Sequence, residues 1–218
     1  MKPKILSKEL DLARREIVRI QVERFHLFYS EFFMNEETIG MAKFFFETVY
    51  NLDGKEEWET LAFTTYEKVK HMMKEGSRES VERLMELNSI TDELDISMGE
   101  LLLKKGWDLK SPISIEDYKQ LFKEFGKAGL RKKQLEVVLF NLKKFYDLAH
   151  KPISAYVIKP AALMSKMLGV YPLFKKVEEG YKATLPVSRT TFENFFNIVE
   201  KKEWDFLYQS FEELRSES

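Results

Sequence analysis

Apolar residues recur along most of the chain at the three- and four-residue spacing of an amphipathic helix. The first such segment runs from residue 8 to about residue 35 and places Leu10, Ile17 and Phe28 on one face. Further segments with this period cover about residues 36–50, 58–76, 77–106, 114–126, 130–150, 154–168, 172–183 and 191–214. No segment alternates apolar and polar residues as a half-buried strand does. We therefore predict an all-α fold, a multi-helix globular bundle of roughly eight or nine helices.

The second predicted helix contains three consecutive phenylalanines. Asn35 followed by two glutamates is typical of an N-cap with acidic residues in the first turn. Phe44, Phe45 and Phe46 cover more than half of the helix circumference, because successive residues turn by about 100°. A helix that is apolar on all sides is normally buried. We expect the centre of the core here, and we interpret the high phenylalanine content of the chain chiefly as core packing.

The longest interruption of the helical pattern is the turn-rich stretch at residues 106–113. It contains Gly106 and Pro112, which favour a connection between helices. A chain of 218 residues is long enough for one medium domain with a sizeable core. We predict a single all-helical domain over residues 5–216, with 106–113 as its candidate seam.

The charges nearly cancel over the whole chain but not within its segments. Lys and Arg number 35 against 36 Asp and Glu, so there is no global basic field to favour nucleic acid. Residues 119–144 contain eight basic and two acidic residues, whereas residues 78–100 contain seven acidic and two basic ones. This complementarity predicts docking within the chain or between copies. The basic segment lacks a nucleic-acid-binding motif, so we expect no nucleic acid partner.

The composition and the early residues exclude several classes of protein. The chain has no cysteine, which excludes disulfides, thiolate metal sites, cysteine nucleophiles and iron–sulfur clusters. Charged residues interrupt the first segment where a secretion signal would need an apolar run. No apolar run reaches the length of about 20 residues that is needed to cross a membrane. We expect a cytoplasmic protein without a transmembrane segment.

Two acid–histidine pairs have the spacing that di-iron bundles use for metal ligands. They are Glu23 with His26 and Asp147 with His150. The helical wheel places both pairs away from the apolar arcs, and it places His71 at the periphery as well. We therefore expect no metal site and no cofactor. Standard enzyme motifs are also absent, so the sequence favours a non-enzymatic role and leaves catalytic residues unknown.

Five polar residues fall on faces that are otherwise apolar: Arg24, Glu47, Asn88, Thr91 and Asp95. Burying such groups without partners would be costly. One interpretation is a satisfied core network in which Arg24 pairs with Asp95 or Glu47 and fixes the helix register. The other is a ligand-binding patch in an aromatic-lined cavity, where Arg24 would hold a carboxylate or a phosphate.

Several segments resemble an uncharacterised family of bacterial helical proteins with an FFLxxLY-like segment after a long first helix. The resemblance lies in residues 24–29, 42–50, 87–98 and 159–181, and it therefore spans most of the chain. Phe46 stands where that family usually has leucine. The resemblance implies an all-helical architecture and, because no activity is established for the family, no particular chemistry.

The sequence thus leaves two functional hypotheses. The first is a protein that acts through contacts with a protein partner or through self-association, for which a homodimer is one form. The alternative is a binder of, or an enzyme acting on, a hydrophobic anionic small molecule such as a fatty acid. It rests on the many aromatic and methionine residues together with Arg24.

Overall fold

The protein is all-helical throughout the residues that the computed structural model describes, which are 6–73, 75–151, 165 and 171–217. This part of the chain contains no strand, and the predicted fold class is confirmed. None of its helices combines the length and apolar character needed to cross a membrane. The α-helices are α1 (Lys8–Phe28), α2 (Ser30–Met34), α3 (Ile39–Lys43), α4 (Lys55–Val69), α5 (Glu75–Lys104), α6 (Ile115–Phe125), α7 (Ala128–Ala149), α8 (Tyr171–Thr184) and α9 (Arg189–Ser210).

Shorter helical turns complete these elements. A π-helix covers Phe44–Thr48, and 3₁₀ turns cover Lys70–Met72 and Glu212–Glu217. The helix predicted at about residues 154–168 lies outside the described residues, apart from Ser165.

Side-chain caps fix the beginnings of several helices, among them α1 and α6. The Ser7 hydroxyl accepts a hydrogen bond from the Leu10 amide at the start of α1. At the start of α6, the Asp117 amide donates to the Ser114 hydroxyl while the Ser114 amide donates to the Asp117 carboxylate, each at 3.1 Å. This reciprocal capping box satisfies amides that have no partner within the helix. The helix predicted over about residues 114–126 is therefore present, with Ser114 as its N-cap.

The chain divides into two compact units, and each combines segments that are distant in sequence. Among the described residues, 31–82 and 141–195 belong to the first unit, whereas 6–30, 83–140 and 196–217 belong to the second. Residues 106–113 lie inside the second unit. The single domain over residues 5–216 stays a prediction.

The core of the first unit is built from close aromatic contacts. Phe44 stacks on Phe145 with 5.7 Å between ring centroids, and Phe46 is buried beside Phe195. A Cβ atom added at Gly180 would overlap Phe44 and would come within 2.7 Å of Phe145, so these rings need a glycine at that position. The predicted burial is confirmed for Phe44 and Phe46. Their segment is a π-helix, however, in which the Val49 amide donates to the Phe44 carbonyl.

The second unit brings the acidic and the basic segments of the chain together. Lys127 and Lys133 on α7 pair with Glu93 and Glu86 on α5, respectively. These pairs are partly exposed and each contributes about 0–1 kcal/mol. The predicted charge complementarity therefore acts within the chain, between two helices of one unit.

Candidate functional site

Arg24 and Asp95 are the most deeply buried charged residues among those described in the second unit, each with 1% of its surface exposed. The Arg24 Nη2 donates to Glu203 Oε2 on α9 at 2.8 Å, and its Nε donates to Gln21 Oε1 on α1 at 3.1 Å. The predicted position of Arg24 on a buried face is confirmed. The predicted pairing with Asp95 or Glu47 is wrong, because the acidic partner is Glu203, which lies 179 residues further along the chain.

Glu203 also holds a buried tyrosine. The Tyr29 hydroxyl donates to Glu203 Oε1 at 2.5 Å, so one carboxylate accepts from both Arg24 and Tyr29. Burial raises the pKa of Tyr29 above its usual value, and the negative charge of Glu203 raises it further. Burial has the largest single effect on the pKa of Arg24 and would lower it, but the charge and hydrogen bond of Glu203, together with Tyr118 and Tyr29, outweigh burial and raise the pKa. Tyr29 is therefore a neutral donor, and the two charges of the pair compensate each other.

Aromatic rings surround the Arg24 guanidinium. Its Cζ lies 4.9 Å from the centroids of Phe25 and Phe28 and 4.5 Å from that of Phe206. The negative ring faces attract the cation, and this attraction is strongest where water is excluded. Phe206 packs in turn on Phe122, with 4.9 Å between centroids. Phe28 and Phe206 therefore pack against a buried ion pair, Arg24 with Glu203, which we call the support.

A second buried arginine, Arg131, packs against Phe122. The Cζ of Arg131 is 4.5 Å from the Phe122 centroid, and its Nη1 donates to Gln134 Oε1. Gln134 donates in turn to the hydroxyl of Thr91 at 2.9 Å. Each ring of the Phe122–Phe206 pair in the second unit therefore lies against a buried guanidinium, Phe206 against that of Arg24 and Phe122 against that of Arg131.

Tyr118 is within electrostatic range of both arginines. Burial raises the pKa of Tyr118 to about 12, although the charges of Arg131 and Arg24 act in the opposite direction. The charges of Asp95 and Glu203 add to the increase. Tyr118 is therefore a neutral phenol in a region where positive and negative charges nearly balance.

The structure brings together only part of the predicted ligand-binding set. Arg24, Thr91 and Asp95 are buried in the second unit, and Asn88 is half-buried on the same helix as Thr91 and Asp95. Glu47 is half-buried on the π-helix and belongs to the first unit. As a ligand-binding set, the five residues stay a prediction. The sequence interpretation missed Glu203, Tyr29 and Tyr118.

An open groove of about 750 Å³ lies on the second unit, next to this support. Phe28 and Phe206, two of the rings that contact Arg24, line it. Leu27 also lines it, with 61% of its surface exposed. Charged side chains complete the lining at its polar edge: Glu116, Lys119, Lys202 and Asp205.

The charged side chains of this groove differ in whether they already have a partner within the chain. Lys119 pairs with Glu116 at 3.1 Å, one turn away on α6. Lys202 donates to the Phe28 carbonyl at 2.5 Å, where a cation is favourable because the C-terminal end of α1 has a partial negative charge. The exposed carboxylate of Asp205 has neither a hydrogen bond nor an ion pair within the part of the chain that the structure describes.

The histidines lie apart from this site. His26, His71 and His150 are all exposed, as the helical wheel predicted. Glu23, the companion of His26 in the di-iron-like spacing, is also exposed and pairs with Arg19. No group of three or more histidine or acidic side chains suited to a metal ion occurs among residues 6–73, 75–151, 165 and 171–217.

Comparisons with known proteins identify the chain only at the level of a family. One family model, for a domain of unknown function, matches residues 2–216 and so covers nearly the whole chain. Neither a search of curated proteins nor a search of solved structures finds a match. The function must therefore be inferred from the site itself.

Proposed function

The chain belongs to the DUF8198 family, a domain of unknown function, and we propose that it acts without catalysis, by binding a segment of another protein. We assign this binding to the groove of the second unit lined by Leu27, Phe28 and Phe206. The observation that supports it best is Leu27, a large apolar side chain that is 61% exposed at the edge of an aromatic recess. Exposed apolar surface beside a polar rim is typical of protein-binding sites.

The support behind the groove favours a preformed binding surface. Phe28 and Phe206 are held from behind by the Arg24 guanidinium, which Glu203 fixes in turn. Rings that are already immobilised lose little conformational entropy when a partner binds. A rigid recess of this kind suits an apolar anchor residue from the partner.

The alternative, a hydrophobic anionic small molecule, has less support. Arg24 already donates to Glu203 and Gln21, so its charge is compensated, and only the buried Nη1 has no partner among the described residues. In the first unit, the close approach of Gly180 to Phe44 leaves no space for a ligand between them. We therefore prefer the protein-binding hypothesis.

The source, the cellular location and the oligomeric state of the protein are part of the same proposal. We keep the bacterial origin that the family resemblance implies and the cytoplasmic location that the sequence predicts. A homodimer is the competing use of the groove, because a second copy could cover Leu27 as a partner protein does. Sedimentation equilibrium of the wild type and of Leu27→Asp distinguishes them: a dimer that Leu27→Asp dissociates would assign the groove to self-association.

Panning a random 12-residue peptide library on the full chain tests the proposal. We expect enriched peptides to bind the wild type and to lose at least about tenfold in affinity for Leu27→Asp, because that substitution places a charge beside the apolar recess. Leu148→Asp, which alters an exposed leucine of the first unit, is the matched control and should bind as the wild type does. Failure to enrich peptides, or equal binding to Leu27→Asp, would contradict the proposal.

A further inference from the structure

Asp205 is an exposed carboxylate in the lining of the groove. It lies directly before Phe206 on α9, and both residues line the groove. The structure shows neither a hydrogen bond nor an ion pair to Asp205 within the residues that it describes. A partner that covers the groove would have to desolvate this charge, which is costly unless the partner brings a cation.

The two lysines of the groove are occupied in a different way. Glu116 neutralises Lys119, and the Phe28 carbonyl accepts from Lys202, whose ammonium also lies 5.6 Å from the Tyr29 ring. Lys202 keeps its positive charge, but its ammonium is held in these contacts, whereas Asp205 has neither a hydrogen bond nor an ion pair in the described structure. Asp205 is therefore the charge of the lining that a partner can pair with without displacing a contact within the chain.

From this asymmetry we propose that the groove binds a protein segment in which an apolar side chain is flanked by a lysine or an arginine. The apolar side chain occupies the recess between Leu27 and Phe206, and the cation pairs with Asp205. This inference rests on the proposed function and adds the chemistry of the partner to it. Charge complementarity of this kind sets specificity and association rate more than affinity.

A phosphate-containing partner would meet the opposite arrangement. Nucleic acid and anionic lipid both need cations that are free to contact phosphate. In this groove they would face Asp205 and Glu116, while Lys119 is already paired and the ammonium of Lys202 is held by the Phe28 carbonyl. We therefore expect neither a single-stranded oligonucleotide nor phosphatidylglycerol vesicles to compete with peptide for the groove.

The inference is tested with the peptides that the library panning enriches. We expect their sequences to contain a lysine or arginine next to an apolar residue. Asp205→Asn should weaken their binding about two- to fivefold, as expected for a surface ion pair, and raising the salt concentration should reduce this difference. Glu136→Gln is the matched control, because Glu136 is an exposed acid of the same unit outside the groove, and it should leave binding unchanged.

A charge exchange provides the decisive arm. Asp205→Lys should weaken the basic peptide further, and a peptide with glutamate in place of its cation should bind Asp205→Lys better than it binds the wild type. If Leu27→Asp abolishes binding while Asp205→Asn behaves as Glu136→Gln does, the groove binds peptides but the inference about charge is overturned. Competition by the oligonucleotide or the vesicles would overturn it as well.

Discussion

The two units of this protein stabilise their interiors by different means. In the first, Phe44 and Phe145 stack beside a glycine with no space between them. In the second, an arginine is buried among rings and is held by Glu203. A close-packed aromatic core is destabilised by changes in side-chain volume. A buried ion pair is destabilised mainly when one of its two charged partners is removed. The comparison indicates that the stability of the first unit depends mainly on side-chain volume, and that of the second on the balance of buried charges.

The largest effect should follow from removing one member of the buried pair. Arg24→Met leaves the Glu203 carboxylate without its cation, and we expect it to lower the free energy of unfolding by about 3–5 kcal/mol. The double variant Arg24→Met, Glu203→Met removes both charges and should recover most of this loss. Urea unfolding followed by circular dichroism measures both values.

The control for this prediction is Arg15→Met on the same helix. Arg15 forms an exposed ion pair with Asp11, so its loss should change the free energy of unfolding by less than about 1 kcal/mol. A double variant as unstable as Arg24→Met alone would show that the packing of the side chain, and not the charge balance, dominates this interior.

The second prediction concerns the pH dependence of the second unit. The pKa of Tyr118 is about 12 in the folded protein, against about 10 in an unfolded chain. Because the folded state holds this proton more tightly, its contribution to stability is complete below pH 10 and is lost as the pH rises to 12 and above. Relative to Tyr118→Phe, the wild type should lose about 2–3 kcal/mol over this range.

Comparing the two proteins at each pH removes the effects of the other titrating groups, lysines included. Urea unfolding at intervals between pH 8 and pH 12 gives the difference directly. Parallel stability curves for the wild type and Tyr118→Phe would contradict the prediction.

A smaller effect is expected from a change of volume in the first unit. Gly180→Ala places a Cβ atom against Phe44 and Phe145, and we expect this overpacking to lower the free energy of unfolding by about 1–3 kcal/mol. Gly129→Ala is the control, because no atom lies within 4 Å of a Cβ at that position. Combining Gly180→Ala with Phe44→Leu should be less harmful than the two separate effects added together. Strict additivity, measured by urea unfolding, would count against direct overlap.

The helical period was enough to predict which faces are buried. It placed Arg24, Thr91 and Asp95 on buried positions because each falls within an apolar arc of its own helix. It could not identify Glu203 as the partner of Arg24, since a period describes one helix and not the helix that packs against it. A pairing across 179 residues depends on tertiary structure.

Sequence periodicity also could not predict that part of the second predicted helix, Phe44–Thr48, is a π-helix. Three consecutive phenylalanines indicated burial, and Phe44 and Phe46 are buried. Whether the amide of Val49 donates to a residue four or five positions earlier depends on how the rings pack, and apolar content alone does not encode it. The capping box at Ser114 was predictable because its donors and acceptors are all local.

Two consecutive residues of α9 fasten the end of α1. Lys202 donates to the Phe28 carbonyl, and Glu203 accepts from Tyr29 and Arg24. Because these bonds join the same two turns, neither turn can detach from the other without breaking all of them. We therefore expect the last turn of α1 and the middle of α9 to exchange their amide hydrogens in one cooperative opening. The groove is present only while these two segments remain bonded to each other.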